Sequence, residues 1–459
     1  MKTTMALSKK EMRQVAVASL IGSAIEWYDW FLYGTAAALV FNTLFFPAYD
    51  PLVGTLLAFA TFGAGFLARP LGGIIFGYYG DRLGRKTTLI VCLLLMGIGT
   101  FTIGLLPSYE QIGVWAPILL VTLRVIQGIA VGGEWGGAVL LAIEHSPEDK
   151  RGFYGSWPQM GVPVGLLLST VVFSAFTALP QDQFISWGWR IPFLLSILLI
   201  ATGLFIRLKV METPAFIQAK EAGHHAKNPL KEVLRTSKKD ILIALGSRFA
   251  NDASYYISNV FVLLYATKYL SLDKTLFLTG VSVGAVVEIF TIPLFGTLSD
   301  KLGRRPVFMA GSLFFILFSF PFFWLVETQN MALIWIGLVL WIAVGHGATF
   351  APMSAFIAER FDTSTRYTGA SISYQVSGIL IGGPAPFLAT ALLTWSGHYW
   401  PIALFMMILG VISFISIYVA SETYRKDLNI TMRPDQSAHT PDQTLGAQTN
   451  TKTKGVSRS

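Results

Sequence analysis

The sequence is poor in charge and has almost no cysteine. Only 13% of its 459 residues are Asp, Glu, Lys or Arg, against 53% hydrophobic, with a mean hydropathy of +0.57. A water-soluble core cannot hide so many apolar side chains, so lipid is the expected solvent. The single cysteine, Cys92, excludes a disulfide within the chain and, inside an apolar run, reads as a small buried hydrophobe. Also missing are a metal-spaced His/Cys/Asp cluster, a nucleophile constellation and a loop roomy enough for a catalytic domain. No enzyme, metal or cofactor is therefore expected. The tail from Tyr424 to Ser459 has hardly any apolar residues and no heptad pattern, which predicts disorder without a coiled coil. The basic amino terminus leads into an apolar run that contains Glu26 and Asp29 and lacks a small-residue cleavage site, so no removable signal peptide is expected.

What is abundant is long apolar runs. A helix needs roughly 20 mostly apolar residues to cross a bilayer. Such runs lie near 15–45, 52–79, 87–107, 114–142, 153–178, 189–209, 240–267, 275–298, 307–326, 331–358, 368–394 and 399–420. They predict an all-α membrane protein with twelve transmembrane helices. The net charge of +8 follows topology. All Lys and Arg except Arg69, Arg124, Arg190, Arg248, Lys268 and Lys274 fall in alternate loops and at the ends, and the opposite loops at 42–51, 107–113, 327–330 and 395–398 carry none. This positive-inside pattern predicts cytoplasmic termini on an inner-membrane protein and implies no nucleic-acid partner.

The chain is internally repeated. GYYGDRLGRK at 77–86 aligns with GTLSDKLGRR at 296–305, an offset of 219 residues between Asp81 and Asp300. Glu144 and Arg151 align with Glu359 and Arg366 at an offset of 215, and Gln159 with Gln375 at 216. Steady offsets indicate a duplicated six-helix unit. The expected organisation is a cytoplasmic amino terminus (1–14), a six-helix bundle (15–210), a cytoplasmic central loop (211–239), a second six-helix bundle (240–422) and the tail (423–459). Two such halves place a binding site between them near mid-bilayer, reached by rocking one against the other. In the repeated string, glycines permit a tight turn, while Asp81, Arg82 and Arg85, with Asp300 and Arg304, can latch one conformation shut. Plain topological basic residues are the rival reading of either copy alone.

Both strings fit the hallmark of the major facilitator superfamily, which the chain resembles. More narrowly, EWYDWFLYG at 26–34, RPLGG at 69–73, RVIQGIAVGGEWGGA at 124–138, WGWRIPF at 187–193, METPAF at 211–216 and RYTGASISYQ at 366–375 resemble the metabolite:proton symporter family. That family includes transporters for shikimate, oxoglutarate, citrate and proline or betaine. The resemblance spans about residues 10–422 and implies two six-helix bundles, a proton as second cargo, and a proton-coupling role for Arg124 of the RxxQG string.

The residues carry their own chemistry. A charge at a helix centre costs about 2.5–3.5 kcal/mol, so each needs a partner or a wet cavity. Glu26, Asp29 and Tyr33 share one helical face, as do Arg124, Gln127 and Glu134. An Arg near a carboxylate lowers its proton affinity and desolvation raises it, so Asp29 with Arg124 is the preferred proton-coupling pair, with Glu26 and Glu134 as further carriers. A static assembly pair is the alternative. Arg248 and Asp252, with Tyr255, Tyr256 and Asn259, form a polar aromatic face suited to a carboxylate ligand, and Arg248 and Arg69 can hold an anion. Neutralisation by Asp252 alone and a conformational pairing near the inner loop are the respective rivals. Tyr33, Tyr256, Gln159 and Gln375 complete the expected substrate site. Trp27, Tyr28, Trp30, Trp135, Trp157 and Tyr374 serve as cavity lining or as packing. Pro163 and Pro384 act as hinges or ordinary kinks, and glycines at 132–137 permit close helix packing. Glu288 and His346 read as lone intramembrane titratable groups, the latter a proton relay or a packing residue. The expected function is symport of a small organic acid or zwitterion with a proton. Osmoprotectant uptake, efflux and a non-transporting receptor are the alternatives, and the partners are a small solute, a proton and lipid.

Overall fold

In hydrocarbon only helices and closed barrels satisfy every backbone polar group internally. The computed structural model describes residues 9–48, 51–221, 228–426 and 428, and its regular elements are all helical. Twelve long helices follow one another: α1 (9–45), α2 (Pro51–Leu83), α3 (Arg85–Leu105), α4 (Trp115–His145), α5 (Arg151–Thr177), α6 (Gln181–Lys209), α7 (238–269), α8 (Lys274–Leu302), α9 (Arg304–Glu327), α10 (Met331–Ala358), α11 (Arg366–Ser396) and α12 (Trp400–Tyr418). By length and composition, ten of these are apolar enough to cross a membrane; α1 and α7 fall short. The shortfall has a physical source. α1 carries Glu26 and Asp29, and α7 carries Arg248, Asn251 and Asp252. The outer surface bears Leu67, Ile98, Phe205, Phe290, Leu317 and Phe387, all exposed, a surface suited to acyl chains rather than water.

The helices form two six-helix bundles, α1–α6 and α7–α12. α5 bridges them by lying against α8 and the end of α10, and α2 by lying against α11. Within the first bundle, α2 and α4 cross with almost no separation: a Cβ on Gly132 would stand 2.0 Å from the Arg69 carbonyl oxygen. Gly132 and Gly133 make the expected close packing there, while Gly136 and Gly137 face Ser371, Tyr367 and Leu89. The α2–α3 and α8–α9 turns each pivot on one glycine, Gly84 at φ 115° and Gly303 at φ 105°, backbone that L side chains rarely adopt.

One π-helical turn interrupts α1 at Ala37–Phe41, and others occur in α7 at Ile257–Phe261 and Tyr265–Tyr269, in α10 at Leu340–His346 and in α11 at Gly378–Gly382. Such turns widen a helix locally and frequently mark functional sites; the one in α10 ends on His346. The central loop holds helices Pro214–Glu221 and Pro229–Thr236, with Asn228 capping the second by accepting from the Lys231 amide at 3.1 Å. After α12 the chain runs back over the bundle. The Arg151 guanidinium donates to the Lys426 carbonyl at 2.6 Å, and Thr363 and Arg366 donate to the Leu428 carbonyl at 2.8 and 3.0 Å. Most of the expected disordered tail, residues 427 and 429–459, lies outside the described residues, as do 1–8 of the expected amino-terminal segment and 222–227 of the central loop.

Candidate transport site

The repeated strings close one end of the molecule. Asp81, at the end of α2, accepts hydrogen bonds from the Tyr367 amide at 3.2 Å, the Thr368 amide at 3.0 Å and the Thr368 hydroxyl at 2.8 Å, at the start of α11. Asp300 of α8 repeats this at the start of α5, accepting from the amides of Gly152 at 2.7 Å and Phe153 at 2.8 Å. The first amides of a helix lack intrahelical partners and the helix dipole favours negative charge there. Arg85 backs Asp81 at 3.5 Å and reaches Glu144 at 3.4 Å, and Arg304 backs Asp300 at 2.6 Å and reaches Glu359 at 3.1 Å. Arg366 pairs with Glu144 at 2.9 Å, which ties α11 to α4. These bonds join the two bundles, so this end is shut.

Two carboxylates that the sequence reading did not single out finish the latch. Glu212 accepts from the Arg85 amide at 3.0 Å, and Glu422 from the amides of Arg304 and Arg305, each at 3.0 Å. Thr213 and Thr423 donate to Glu144 at 2.6 Å and Glu359 at 2.7 Å. The signal was available as the dipeptide Glu-Thr at 212–213 and 422–423, but its offset of 210 breaks step with the other landmarks. Arg82, expected in the latch, is not in it: exposed, it stacks on Tyr78 and bonds that residue's hydroxyl.

Between the bundles lies a cavity lined by Trp27 and Arg69 from the first half and by Arg248, Asp252, Tyr255, Tyr256, His346, Tyr374 and Gln375 from the second, among others. Arg69 is buried with its guanidinium 3.7 Å from the Trp30 ring centroid and 4.5 Å from that of Phe66, and its Nε and Nη2 have no hydrogen-bond partner. It is a cation held by aromatic faces with donors to spare. Arg248 differs: it pairs with Asp252, which also accepts from the Ser377 hydroxyl at 2.6 Å, and it lies 3.4 Å from the centroid of Tyr374. Tyr374 in turn stacks on Trp135 at 3.8 Å, across the halves.

Gln159 and Gln375 hold the halves together. Gln159 accepts from the Trp135 indole at 2.8 Å and donates to the Phe350 carbonyl at 3.0 Å, while Gln375 donates to the Gly132 carbonyl at 3.1 Å. Gln375 lines the cavity; Gln159 does not. Tyr33 is also set apart, fully buried, its hydroxyl sharing a 2.6 Å hydrogen bond with Thr61.

Asp29 is fully buried, and the Thr100 hydroxyl is the hydrogen-bonding neighbour of its carboxyl. Arg124 acts on it by charge but forms no ion pair with it. The guanidinium is instead sandwiched 3.7 Å from the centroid of Trp30 and 4.2 Å from that of Tyr33, with one bond to Gln127 at 3.3 Å. A face argument from two helices could not foresee aromatic rings between them. Glu134 does not act with Arg124 either: it pairs with Arg207 of α6, which also bonds the Leu89 carbonyl. Glu26 stands close to Glu134 in a small crevice with Gly22, Cys92 and Met96. Glu288 and His346, read as lone groups, bond each other through His346 Nδ1.

Two helical bundles latched at one end around a cavity with an unpaired guanidinium are the architecture of a membrane transporter. A sequence profile of the Major Facilitator Superfamily matches residues 19–383, and the chain belongs to that family. It is 44% identical over 424 residues to the shikimate transporter of Escherichia coli K12, covering 91% of this chain and 97% of that one. It is 35% identical over 435 residues to the proline/betaine transporter of the same organism, covering 91% and 85%. Among solved structures, the proton:xylose symporter XylE bound to 6-bromo-6-deoxy-D-glucose superposes with a TM-score of 0.73 at 16% identity, covering 92% of this chain and 98% of that one. These relatives are transporters, and the chain is a transporter rather than an enzyme.

Proposed function

We propose that the protein carries a small organic acid together with a proton across the inner membrane into the cytoplasm. The observation that carries this reading is Arg69, a buried guanidinium on the cavity wall with two nitrogens unpaired. A carboxylate can take both in the paired geometry guanidinium favours, and a bare buried cation costs far more than a paired one. The 44% identity to a shikimate transporter agrees with a carboxylate cargo.

Asp29 is the proposed proton carrier. A buried carboxyl without an ion-pair partner is available to exchange a proton once the cavity reaches it, and Arg124 next to it biases that exchange by its charge. Glu26 is a second candidate. Glu134 is committed to Arg207 and serves assembly on this reading. The latched end is taken as the cytoplasmic one because it carries the basic loops. Release of cargo then requires Asp81 and Asp300 to leave the starts of α11 and α5. Glycine betaine uptake is the second reading, favoured by the 35% identity to a proline/betaine transporter and by the aromatic walls of the cavity.

Proteoliposomes with an imposed pH gradient, acid outside, test the proposal. Labelled shikimate is expected to accumulate and to leak away on addition of a protonophore. Accumulation of glycine betaine in place of shikimate selects the second reading, and accumulation indifferent to the gradient removes the proton.

A further inference from the structure

On the wall formed by α7 and α10, the Tyr255 hydroxyl and the Nε2 of His346 stand side by side without a protein partner among the described residues. The Tyr255 hydroxyl is buried and makes no hydrogen bond. His346, whose ring centroid is 5.1 Å from that of Tyr255, is held through Nδ1 by Glu288 of α8, and among the described residues nothing bonds its Nε2. A carboxylate on one ring nitrogen fixes the ring's orientation and its tautomer, leaving the other nitrogen for a ligand. Both Tyr255 and His346 line the cavity that Arg69 enters from the opposite bundle. The charge of Arg248 on that wall is matched by Asp252 through Nη2, while its Nε has no hydrogen-bond partner.

A hydroxyl group both donates and accepts, so one placed between these residues can satisfy the phenol and the imidazole together. A carboxylate needs donors and is served by Arg69. An alkylated ammonium offers neither donor nor acceptor to an unpaired phenol and imidazole. We propose that Tyr255 and His346, positioned by Glu288, form a hydroxyl-reading subsite opposite Arg69, so that the preferred cargo is a hydroxylated carboxylate spanning both bundles. The proposal rests on the organic-acid reading above and narrows it. A cargo that bridges Arg69 and His346 also joins the two moving halves. Sites built around buried polar groups reject the analogue that leaves those groups unpaired.

The test uses the full chain in proteoliposomes, with competition against labelled shikimate counterflow and, in detergent, quenching of intrinsic tryptophan fluorescence as a binding measurement. The probes are shikimate, cyclohex-1-enecarboxylate, which keeps ring and carboxylate without the hydroxyls, and glycine betaine. The wild type is expected to prefer shikimate over the deoxy acid by on the order of 100-fold, about tenfold for each hydrogen bond kept. Tyr255→Phe and His346→Gln should each erode that preference about tenfold by weakening shikimate alone. Glu288→Ala should erode it too, and Glu288→Gln, which still accepts from Nδ1, should restore most of it. Variants are compared only where thermal unfolding matches the wild type, and Thr267→Ala, a part-buried α7 change away from the cavity, serves as the control for nonspecific loss. A wild-type preference near unity, or variants that weaken both acids equally, overturns the subsite while leaving organic-acid transport standing. Binding of betaine by a protein that binds neither acid overturns the organic-acid reading and this inference with it.

Discussion

Thr368 gives Asp81 both its backbone amide, at 3.0 Å, and its hydroxyl, at 2.8 Å, so a side chain of the first bundle caps a helix of the second. With Asp300 on α5 as the mirror contact, two carboxylate caps hold one end of the transporter shut. A capping carboxylate on a helix start is worth about 1–2 kcal/mol in partly buried geometry. Asp81→Asn is therefore expected to shift the balance towards the state open at that end by roughly 5- to 30-fold. Because Cys92 is the only thiol in the sequence, a Cys92→Ala background with Ser371→Cys reports the opening directly. Alkylation at position 371, which packs against Gly136 in the latched state, should speed up in Asp81→Asn and again in the double variant with Asp300→Asn. An unchanged rate would mean that the caps do not hold the state.

Asp29 separates coupling from carriage. Asp29→Asn keeps the shape of the side chain and removes its ability to cycle a proton. Exchange of labelled for unlabelled cargo across equal pH should continue within a few-fold of wild type, whereas accumulation driven by a pH gradient should vanish. Retention of gradient-driven accumulation in a well-folded Asp29→Asn protein would assign the proton to another group, with Glu26 next to be tried.

The twelve runs, the duplication and the paired Asp-Arg strings were all legible in the sequence, because hydropathy and repetition are properties of a single strand of text. α1 and α7 stood out for the same reason: their charges are visible along one helix. Contacts between helices were not legible. Spacing of three, four or seven places residues on one face, but cannot say which face of which neighbour meets it. Hence Arg207 escaped notice as the partner of Glu134, and Glu288 and His346 read as solitary although they touch. Arg124 and Asp29 were matched by charge alone, while Trp30 and Tyr33 take up the guanidinium.

The Glu134–Arg207 pair tests how a buried ion pair serves this fold. Removing one partner leaves an uncompensated charge, which typically costs 3–5 kcal/mol. Glu134→Gln is expected to lower thermal stability in detergent sharply. Glu134→Gln combined with Arg207→Gln, two neutral amides able to bond each other, should recover much of it. If Glu134→Gln instead leaves stability intact and abolishes proton-driven accumulation, Glu134 belongs with the proton carriers.

Gly84 and Gly303 make a sharper prediction because two independent effects coincide there. Each has positive φ, at 115° and 105°, where an L side chain is strained by about 1–3 kcal/mol. Each also faces a latch carboxylate: a Cβ on Gly84 would stand 2.1 Å from Glu212 Oε2, and on Gly303 2.6 Å from Glu422 Oε2. Those carboxylates cap the starts of α3 and α9, so they cannot retreat without giving up the amides of Arg85 or Arg304. Gly84→Ala should therefore lower the unfolding midpoint and speed alkylation at position 371 in the cysteine background. Gly113→Ala separates the two effects, since Gly113 has φ 60° with nothing within 4 Å of its Cβ position. It should cost stability alone, by about 1–2 kcal/mol, and leave the alkylation rate unchanged. Equal alkylation rates for Gly84→Ala and Gly113→Ala would show that the carboxylate contact, as distinct from the backbone angle, contributes nothing to the latch.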